Sequence, residues 1–457
     1  MPKPVSLLLA LPFALALGSA REPSRAPDAV RPAPARATVP PSAFQDMRWR
    51  FVGPYRAGWA TVTAGVPGSP DTYYFGGAGG GVWKTTDAGR TWRGLLQHET
   101  SSAIGALAVA PSDPGVIYAG TGQVDARWDI QAGDGLYRSG DGGETWARAG
   151  LDATRHIGAI LVDPRDPNRV LVGALGHVFA PNAERGVYLT TDGGKSWQHV
   201  LDLGDSTGVV DLAWDPGSPA VVYAAAWQMR MHPWLDYFLP QAGPGSGIYR
   251  SDDGGLHWRR LEGGGLPGGS IGRIGLGVAR GSGGRIVYAT IGIEGSPMTD
   301  AKVAPGKAGI YRSADGGATW QFMNDNPSLS GSYFGRLTVA PDDSNTIYVM
   351  GRGIQKSTDG GTHFEVVMGS PGGDDYHHLW INPSDPRFMI TGADQGAAVS
   401  VNSGRTWSSW YNQPTGQFYH LAVDDEFPYH IFSGQQDNGT VRLASRGPYG
   451  VIEERDW

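Results

Sequence analysis

One phrase recurs seven times between residues 82 and 407, and it constrains the fold more than any other feature of the sequence. An apolar or aromatic pair is followed by Ser or Thr, then Asp, Gly and a closing Thr-Trp, first as Val82 to Trp92. The copies centre on Asp87, Asp141, Asp192, Asp253, Asp315, Asp359 and, with asparagine in place of aspartate, Asn402. Successive copies are 54, 51, 61, 62, 44 and 43 residues apart, close to the roughly 40 to 50 residues of one propeller blade. The spacing predicts an all-β propeller with seven or eight four-stranded blades.

The chemistry of the phrase is that of a turn between two strands, which we call the Asp turn. The Asp or Asn oxygen can accept hydrogen bonds from the turn backbone, and the following glycine can adopt a positive φ. Two apolar strands precede most copies, as in residues 104–109 and 116–119, so each unit contains four strands. Residues repeated once per unit are expected to be structural, with the closing Trp between neighbouring blades.

The two ends of the chain predict segments outside a single ring. Lys3, an apolar run over residues 5–17 and small residues up to Ala20 predict a secretory signal over 1–20. A Pro/Ala/Arg-rich spacer follows over 21–43, then a seven-bladed propeller over 44–410 and a partial further blade over 411–457. Either residues 47–52 supply the missing fourth strand and close the ring, or the chain is the front part of a longer protein. We expect an extracytoplasmic protein, periplasmic or secreted, with no membrane span after signal cleavage.

Composition excludes several classes of function. The absence of cysteine rules out disulfides, thiolate zinc sites and cysteine nucleophiles. A net charge of −7 without a basic block argues against a nucleic-acid partner. The glycine run 76–81 lacks the Lys-Ser/Thr ending of a phosphate loop. We therefore expect no metal and no cofactor.

The repeated turn resembles the Asp box of bacterial neuraminidase repeats. More closely, the chain resembles exported bacterial propellers labelled BNR-repeat glycosyl hydrolases or sortilin-like proteins. The stretches that carry this likeness are residues 53–56, 155–158, 174–177, 227–228, 377–381, 417–420 and 435–438. The resemblance implies a propeller that binds or hydrolyses glycans. In the related xyloglucan hydrolases one catalytic aspartate lies in the first blade before a Gly-Gly pair, where this chain has Ala78. Sortilin carries a disulfide-rich module, for which this chain has no cysteine.

Candidate site residues come from the loops opposite the Asp turns, because variable loops on a rigid scaffold are where binding usually resides. The most polar stretch is residues 374–378, two aspartates, a tyrosine and two histidines. The candidate catalytic residues are Asp375, Asp125 and His377. The candidate substrate-binding residues are Arg56, Arg127, Trp128, Trp227, His232, Trp234, His378, Asp394, Gln435 and Asp437.

Two functions remain open from the sequence. Trp, His and Asp side chains in the channel-face loops favour a glycan ligand, bound or hydrolysed there. The missing carboxylate at Ala78 and the lack of a complete catalytic constellation favour a non-catalytic sortilin-like propeller that binds peptides or proteins.

Overall fold

The computed structural model describes residues 39–457 except 49, 98, 128, 232–241, 294–306, 371–372, 451 and 453. The chain divides into two compact units, Met1–Phe51 and Val52–Trp457. The predicted signal and most of the predicted spacer lie outside the described residues. In the first unit, Pro41–Phe44 form a short 3-10 helix. Residues 47, 48 and 50–52 form no strand, and ring closure by this segment stays a prediction.

The second unit consists of antiparallel sheets whose strands follow one another in chain order, six sheets with four strands and two with three. The six are β1–β4 (Ala60–Val66, Ser69–Gly77, Val82–Thr85, Arg93–Gly94), β5–β8 (Ile104–Val109, Ile117–Thr121, Leu136–Ser139, Ala147–Arg148), β9–β12 (Ile157–Val162, Val170–Ala174, Gly186–Thr190, Gln198–Leu201), β13–β16 (Thr207–Trp214, Val222–Gln228, Gly247–Ser251, Arg259–Leu261), β17–β20 (Ile271–Val278, Val287–Ile293, Gly309–Ser313, Gln321–Asn324) and β21–β24 (Leu337–Val339, Ile347–Val349, Ile354–Ser357, Glu365–Met368). The three-stranded sheets are β25–β27 (Tyr376–Ile381, Met389–Ala393, Gly396–Ser400) and β28–β30 (Phe418–Val423, His430–Gln435, Gly439–Ala444), and further 3-10 helices are Pro327–Leu329 and Glu454–Asp456.

Seven sheets close into a ring, as their hydrophobic clusters show. Six clusters join side chains of two neighbouring sheets, and the largest joins side chains from the second to the fifth blade. Each cluster includes the closing aromatic ring of one copy of the phrase: Trp92, Trp146, Trp197, Trp258, Trp320, Phe364 or Trp407. The cluster containing Trp92 joins Phe75 of the first sheet to Ile390 and Val399 of the seventh. The prediction of a propeller with a wedge of Trp rings between blades is therefore confirmed. The seventh sheet has three strands in place of the four found in the first six.

The Asp turns use their own polar groups. At Asp192, one carboxylate oxygen accepts hydrogen bonds from the Thr190 hydroxyl at 2.7 Å and from the Ser196 amide at 3.0 Å. Thr190 also accepts from the amide of Gly194, whose φ is +91°. The hydrogen bonds from Ser196 and Thr190 hold the pKa of Asp192 well below its usual range. Since the turn occupies this carboxylate, its place in the fold is structural.

The eighth sheet lies outside the ring and is attached to it by polar contacts. The Arg56 guanidinium donates to the Thr440 carbonyl at 3.0 Å, and the Gln435 and Asn438 side chains donate to the Ala57 carbonyl at 2.7 and 2.9 Å. Along β28, Leu421 and Val423 are exposed. The division between residues 410 and 411 stays a prediction.

The first strands of most blades carry a bulge at the end nearest the variable loops. In β25 the pairing jumps from Tyr376 to His378, which leaves His377 without a partner on β26. Bulges re-aim side chains and are common beside functional sites. This bulge positions the site described next. Among the residues that the structure describes, no helix has the length and apolar character of a membrane span.

Candidate functional site

An open cleft of about 1480 Å³ lies between the sixth and seventh blades and the turn that joins β29 to β30. Its polar lining includes four carboxylates and three guanidinium groups, and its apolar lining includes four aromatic rings. These residues are Asp374, Asp375, Asp394, Asp437, Arg127, Arg352, Arg405, Tyr333, Phe334, Trp407 and Trp410. Concave sites with a few polar groups among aromatic rings are the usual form of small-ligand sites.

Two of these carboxyl groups have strongly raised pKa values. Asp375 precedes β25 with a φ of +51°, and its carbonyl accepts a hydrogen bond from the Asp394 amide at 3.2 Å, so the two loops are linked. Burial raises the pKa of Asp375 to about 6. Burial also raises the pKa of Asp394 to about 7; the His377 contact opposes the rise and a hydrogen bond with Asp437 adds to it. Both groups therefore titrate close to neutral pH.

A buried chain of polar groups runs behind Asp394. His377 Nε2 lies 2.7 Å from Asp394 Oδ1, and His377 Nδ1 lies 3.4 Å from Asp125 Oδ2. Asp125 Oδ1 accepts a hydrogen bond from Arg273 at 2.9 Å. The side chains of His377, Asp125 and Arg273 are 1, 3 and 2% exposed. The chain connects the interior of the propeller to the cleft.

Burial and charge oppose each other in this chain. Burial disfavours the ionised form of Asp125, but His377, Arg273 and Arg336 outweigh it and hold the pKa of Asp125 below its usual value. Burial likewise disfavours the charged imidazole, yet Asp125 and Asp394 raise the pKa of His377. Burial lowers the pKa of Arg336, whose guanidinium donates to the carbonyls of Gly105 and Gly158 at 3.2 and 3.3 Å.

The candidate catalytic residues from the sequence occupy different positions. Asp375 lines the cleft. Asp125 and His377 are buried behind it. Asp125 is ionised and paired with Arg273, so as a candidate catalytic residue it is unsuited to donate a proton to a ligand.

The candidate binding residues separate in the same way. Asp394, Asp437 and Arg127 line the cleft. Trp227 is fully buried within a core cluster, so the expectation that its ring contacts substrate is wrong. His378 accepts from the Thr63 amide and pairs with its hydroxyl at 2.9 Å, and burial with nearby Arg336 lowers its pKa to about 3.

Two further candidates tie down the eighth sheet. Arg56 and Gln435 make the contacts to β29, β30 and Ala57 described above. Trp128, His232 and Trp234 lie outside the described residues. Ala78 is buried in the first-blade loop, where its amide donates to the Trp59 carbonyl at 3.0 Å.

Sequence reasoning missed Arg273, Arg336 and Tyr333. Arg273 stands in an otherwise apolar run, Ile271–Val278. A charged side chain in an apolar strand is buried only when it has a partner. The sequence could therefore have indicated that Arg273 forms a buried ion pair. The identity of its partner, Asp125, could not, because the two are 148 residues apart.

The sequence of this chain is similar to a sortilin family profile and to two xyloglucanases. The profile of the Sortilin-Vps10 family, described as sortilin, neurotensin receptor 3, matches residues 80–215. A xyloglucanase of Paenibacillus sp. is 27% identical over 284 residues, covering 58% of this chain and 26% of that protein. Xyloglucanase Xgh74A of Acetivibrio thermocellus is 25% identical over 317 residues, covering 63% of this chain and 36% of that protein. The chain thus spans about a third or less of these relatives.

Solved structures give the same picture of the fold. An ancestral GH74 enzyme superimposes with a TM-score of 0.61 and 20% identity, covering 86% of this chain and 54% of that one. The GH74 xyloglucanase of Xanthomonas campestris gives a TM-score of 0.60 and 18% identity, covering 87% and 62%. Likeness at this identity concerns the propeller fold alone.

Proposed function

We propose that this chain is the propeller of an exported glycoside hydrolase that cleaves a β-glucan such as xyloglucan in the cleft. The observation that carries the proposal is the pair Asp394 and Asp375, two carboxyl groups on one open cleft with pKa values of about 7 and about 6. Titratable groups whose environments separate their pKa values are the usual acid and base of such sites. The names of the curated relatives point to the same substrate class.

The roles follow from the protonation states. Asp394, which with a pKa of about 7 keeps its proton below neutral pH, donates that proton to the glycosidic oxygen as the bond from that oxygen to the anomeric carbon breaks. Asp375, ionised at the same pH, accepts a proton from water, whose oxygen bonds to the anomeric carbon. One glycosidic bond and one water thus give two shorter sugars.

The remaining lining suits a sugar chain. Trp407, Trp410 and Tyr333 are partly exposed at the cleft, and flat rings of this kind pack against the apolar faces of pyranose rings. Arg127 and Arg352 offer hydrogen-bond donors to hydroxyl groups. Arg127 is held by Trp59, whose ring lies 4.7 Å from its guanidinium carbon.

The test is an assay of hydrolysis with soluble β-glucans, xyloglucan among them. The quantity measured is the rate at which new reducing ends are released. Asp394→Asn and Asp375→Asn are expected to lower kcat by at least about 100-fold, the scale of removing a general acid or base. Asp113→Asn is the matched control, because Asp113 is an exposed carboxylate in the turn between β5 and β6. Hydrolysis that survives both cleft substitutions would refute the proposed roles.

A second function has one observation in its favour, the match of residues 80–215 to the sortilin family profile. In that case the propeller binds peptides without catalysis. Peptide binding on an array, with no sugar released from any glucan, is the outcome that would favour it.

A further inference from the structure

Both ring nitrogens of His377 face a carboxylate, one buried and one at the cleft. We infer that the buried Arg273–Asp125 pair acts through His377 to set the protonation of Asp394. This inference rests on the proposed function, in which Asp394 is the proton donor. His377, Asp125 and Arg273 are then positioning residues, because none of them lines the cleft.

The hydrogen bonds show which contact is fixed. His377 Nε2 is held by Asp394 at 2.7 Å. On the other side, His377 Nδ1 and Asp125 Oδ2 are buried without a hydrogen-bond partner although they lie 3.4 Å apart. The imidazole is therefore anchored on Asp394, and Asp125 acts on it mainly as a charge. At this separation in a buried site, an opposite charge strongly favours the charged imidazole.

Arg273 keeps Asp125 ionised together with His377 and Arg336. The guanidinium donates to Asp125 and to the Tyr333 carbonyl at 2.8 Å, so it is held from two sides. A guanidinium stays protonated, and its partner carboxylate stays ionised. The order of influence is therefore Arg273 on Asp125, Asp125 on His377 and His377 on Asp394.

Other charged and titratable groups face this chain. Arg336 and His378 interact electrostatically with Asp125, and Arg127 lies over the Trp59 ring. Asp375 and Asp437 face the chain from the cleft. Tyr333, whose ring lies 5.4 Å from that of His377, is neutral, because burial raises its pKa far above the usual range. Asp437 forms a hydrogen bond with Asp394, and the Asp375 carboxylate acts on Asp394 by its charge. Both effects are present whether His377 is charged or not. A substitution at Asp125 therefore tests only the influence that reaches Asp394 through His377.

The sign of the effect is determined. Asp125→Asn removes one negative charge beside His377, so the pKa of His377 falls. A neutral imidazole no longer opposes the raised pKa of Asp394, so the proton stays on Asp394 to higher pH. The alkaline limb of the pH profile should therefore move upward in Asp125→Asn and in His377→Gln.

The experiment is a titration of the full chain with ¹⁵N-labelled histidine, followed by NMR. Eleven histidines are present, and the His377 signal is assigned from its loss in His377→Gln. Asp125→Asn and Asp394→Asn should each lower the pKa of His377 by about one unit or more, the usual effect of an opposite charge at this distance. Asp215→Asn is the matched control. Its buried carboxylate accepts from the Gly217 and Gly283 amides and lies outside the Arg273–Asp125–His377 chain.

The outcomes separate the two proposals. A His377 pKa that is unchanged in Asp125→Asn, in a chain whose spectrum shows it folded, would overturn the inference even if glucan is hydrolysed. A lowered His377 pKa without any hydrolysis by the wild-type chain would support the inference and contradict the proposed function. If Asp125→Asn does not fold, the double variant Arg273→Met with Asp125→Asn removes both buried charges of the pair. An unchanged His377 pKa in that variant also counts against the inference.

Discussion

Replacing Arg273 by Met should destabilise the propeller more than any exposed Arg substitution. The change keeps the length of the side chain and removes its charge. It leaves Asp125 buried without its guanidinium and also removes the donor to the Tyr333 carbonyl. Met fills the space, so a cavity contributes little.

The magnitude follows from burial on both sides of the pair, 2% exposed for Arg273 and 3% for Asp125. Breaking a buried ion pair by removing one partner costs about 3 to 5 kcal/mol. We expect the lower part of this range, because His377 and Arg336 still face Asp125. Adding Asp125→Asn removes the uncompensated charge and should restore at least about 1 kcal/mol, as coupled neighbours do.

The pH dependence has a definite sign. In the wild-type chain the folded pKa of Asp125 is lowered, so its contribution to stability is present above the unfolded pKa and is lost as pH falls through the folded value. In Arg273→Met burial is less opposed, and the folded pKa rises. The deficit of the variant should therefore shrink as the pH falls from the raised folded pKa of the variant towards the lowered folded pKa of the wild-type chain.

The measurement is urea unfolding followed by tryptophan fluorescence, with the free energy of unfolding compared at equal slopes. Arg93→Met is the control, since Arg93 forms its ion pair with Glu144 on the surface, where such pairs contribute little. A deficit in Arg273→Met no larger than in Arg93→Met, or one that grows as pH falls, would refute the reasoning.

Three further outcomes are expected. The pH profile of kcat/KM for glucan hydrolysis should be bell-shaped, with limbs near the pKa values of Asp375, about 6, and Asp394, about 7, since the base must be ionised and the acid protonated; a flat profile across this interval contradicts the assignment. Trp197→Phe should cost about 1 kcal/mol in urea unfolding, because the indole donates to the Ala149 carbonyl of the neighbouring blade at 2.8 Å; no change would show that this bond is dispensable. Gly105→Ala should cost about 1 to 3 kcal/mol, because the new methyl collides with the carbonyls of Gly122 and Ile157, whereas at Gly68 a Cβ meets nothing within 4 Å; equal stability of the two variants would exclude the collision.

The repeat determines the architecture from the sequence alone. Each copy encodes its own turn through contacts four residues apart or fewer, as at Thr190, Asp192 and Gly194. Each copy also supplies one ring to the wedge between blades. Contacts between residues this close in the sequence can be recognised without the tertiary structure. The propeller fold and the positions of its Trp rings were therefore predictable.

Only the tertiary structure decided which polar residues form the site. Asp375 and Asp394 could be proposed from their loops, but their separated pKa values depend on burial within the assembled ring. Asp125 is a residue type that can act as a catalytic acid. In the closed ring, however, it pairs with Arg273, which is 148 residues away in the sequence. The bulge at His377 has no signature in the strand pattern. The roles of these residues depend on contacts between distant blades, which a pattern of residues along one chain does not contain.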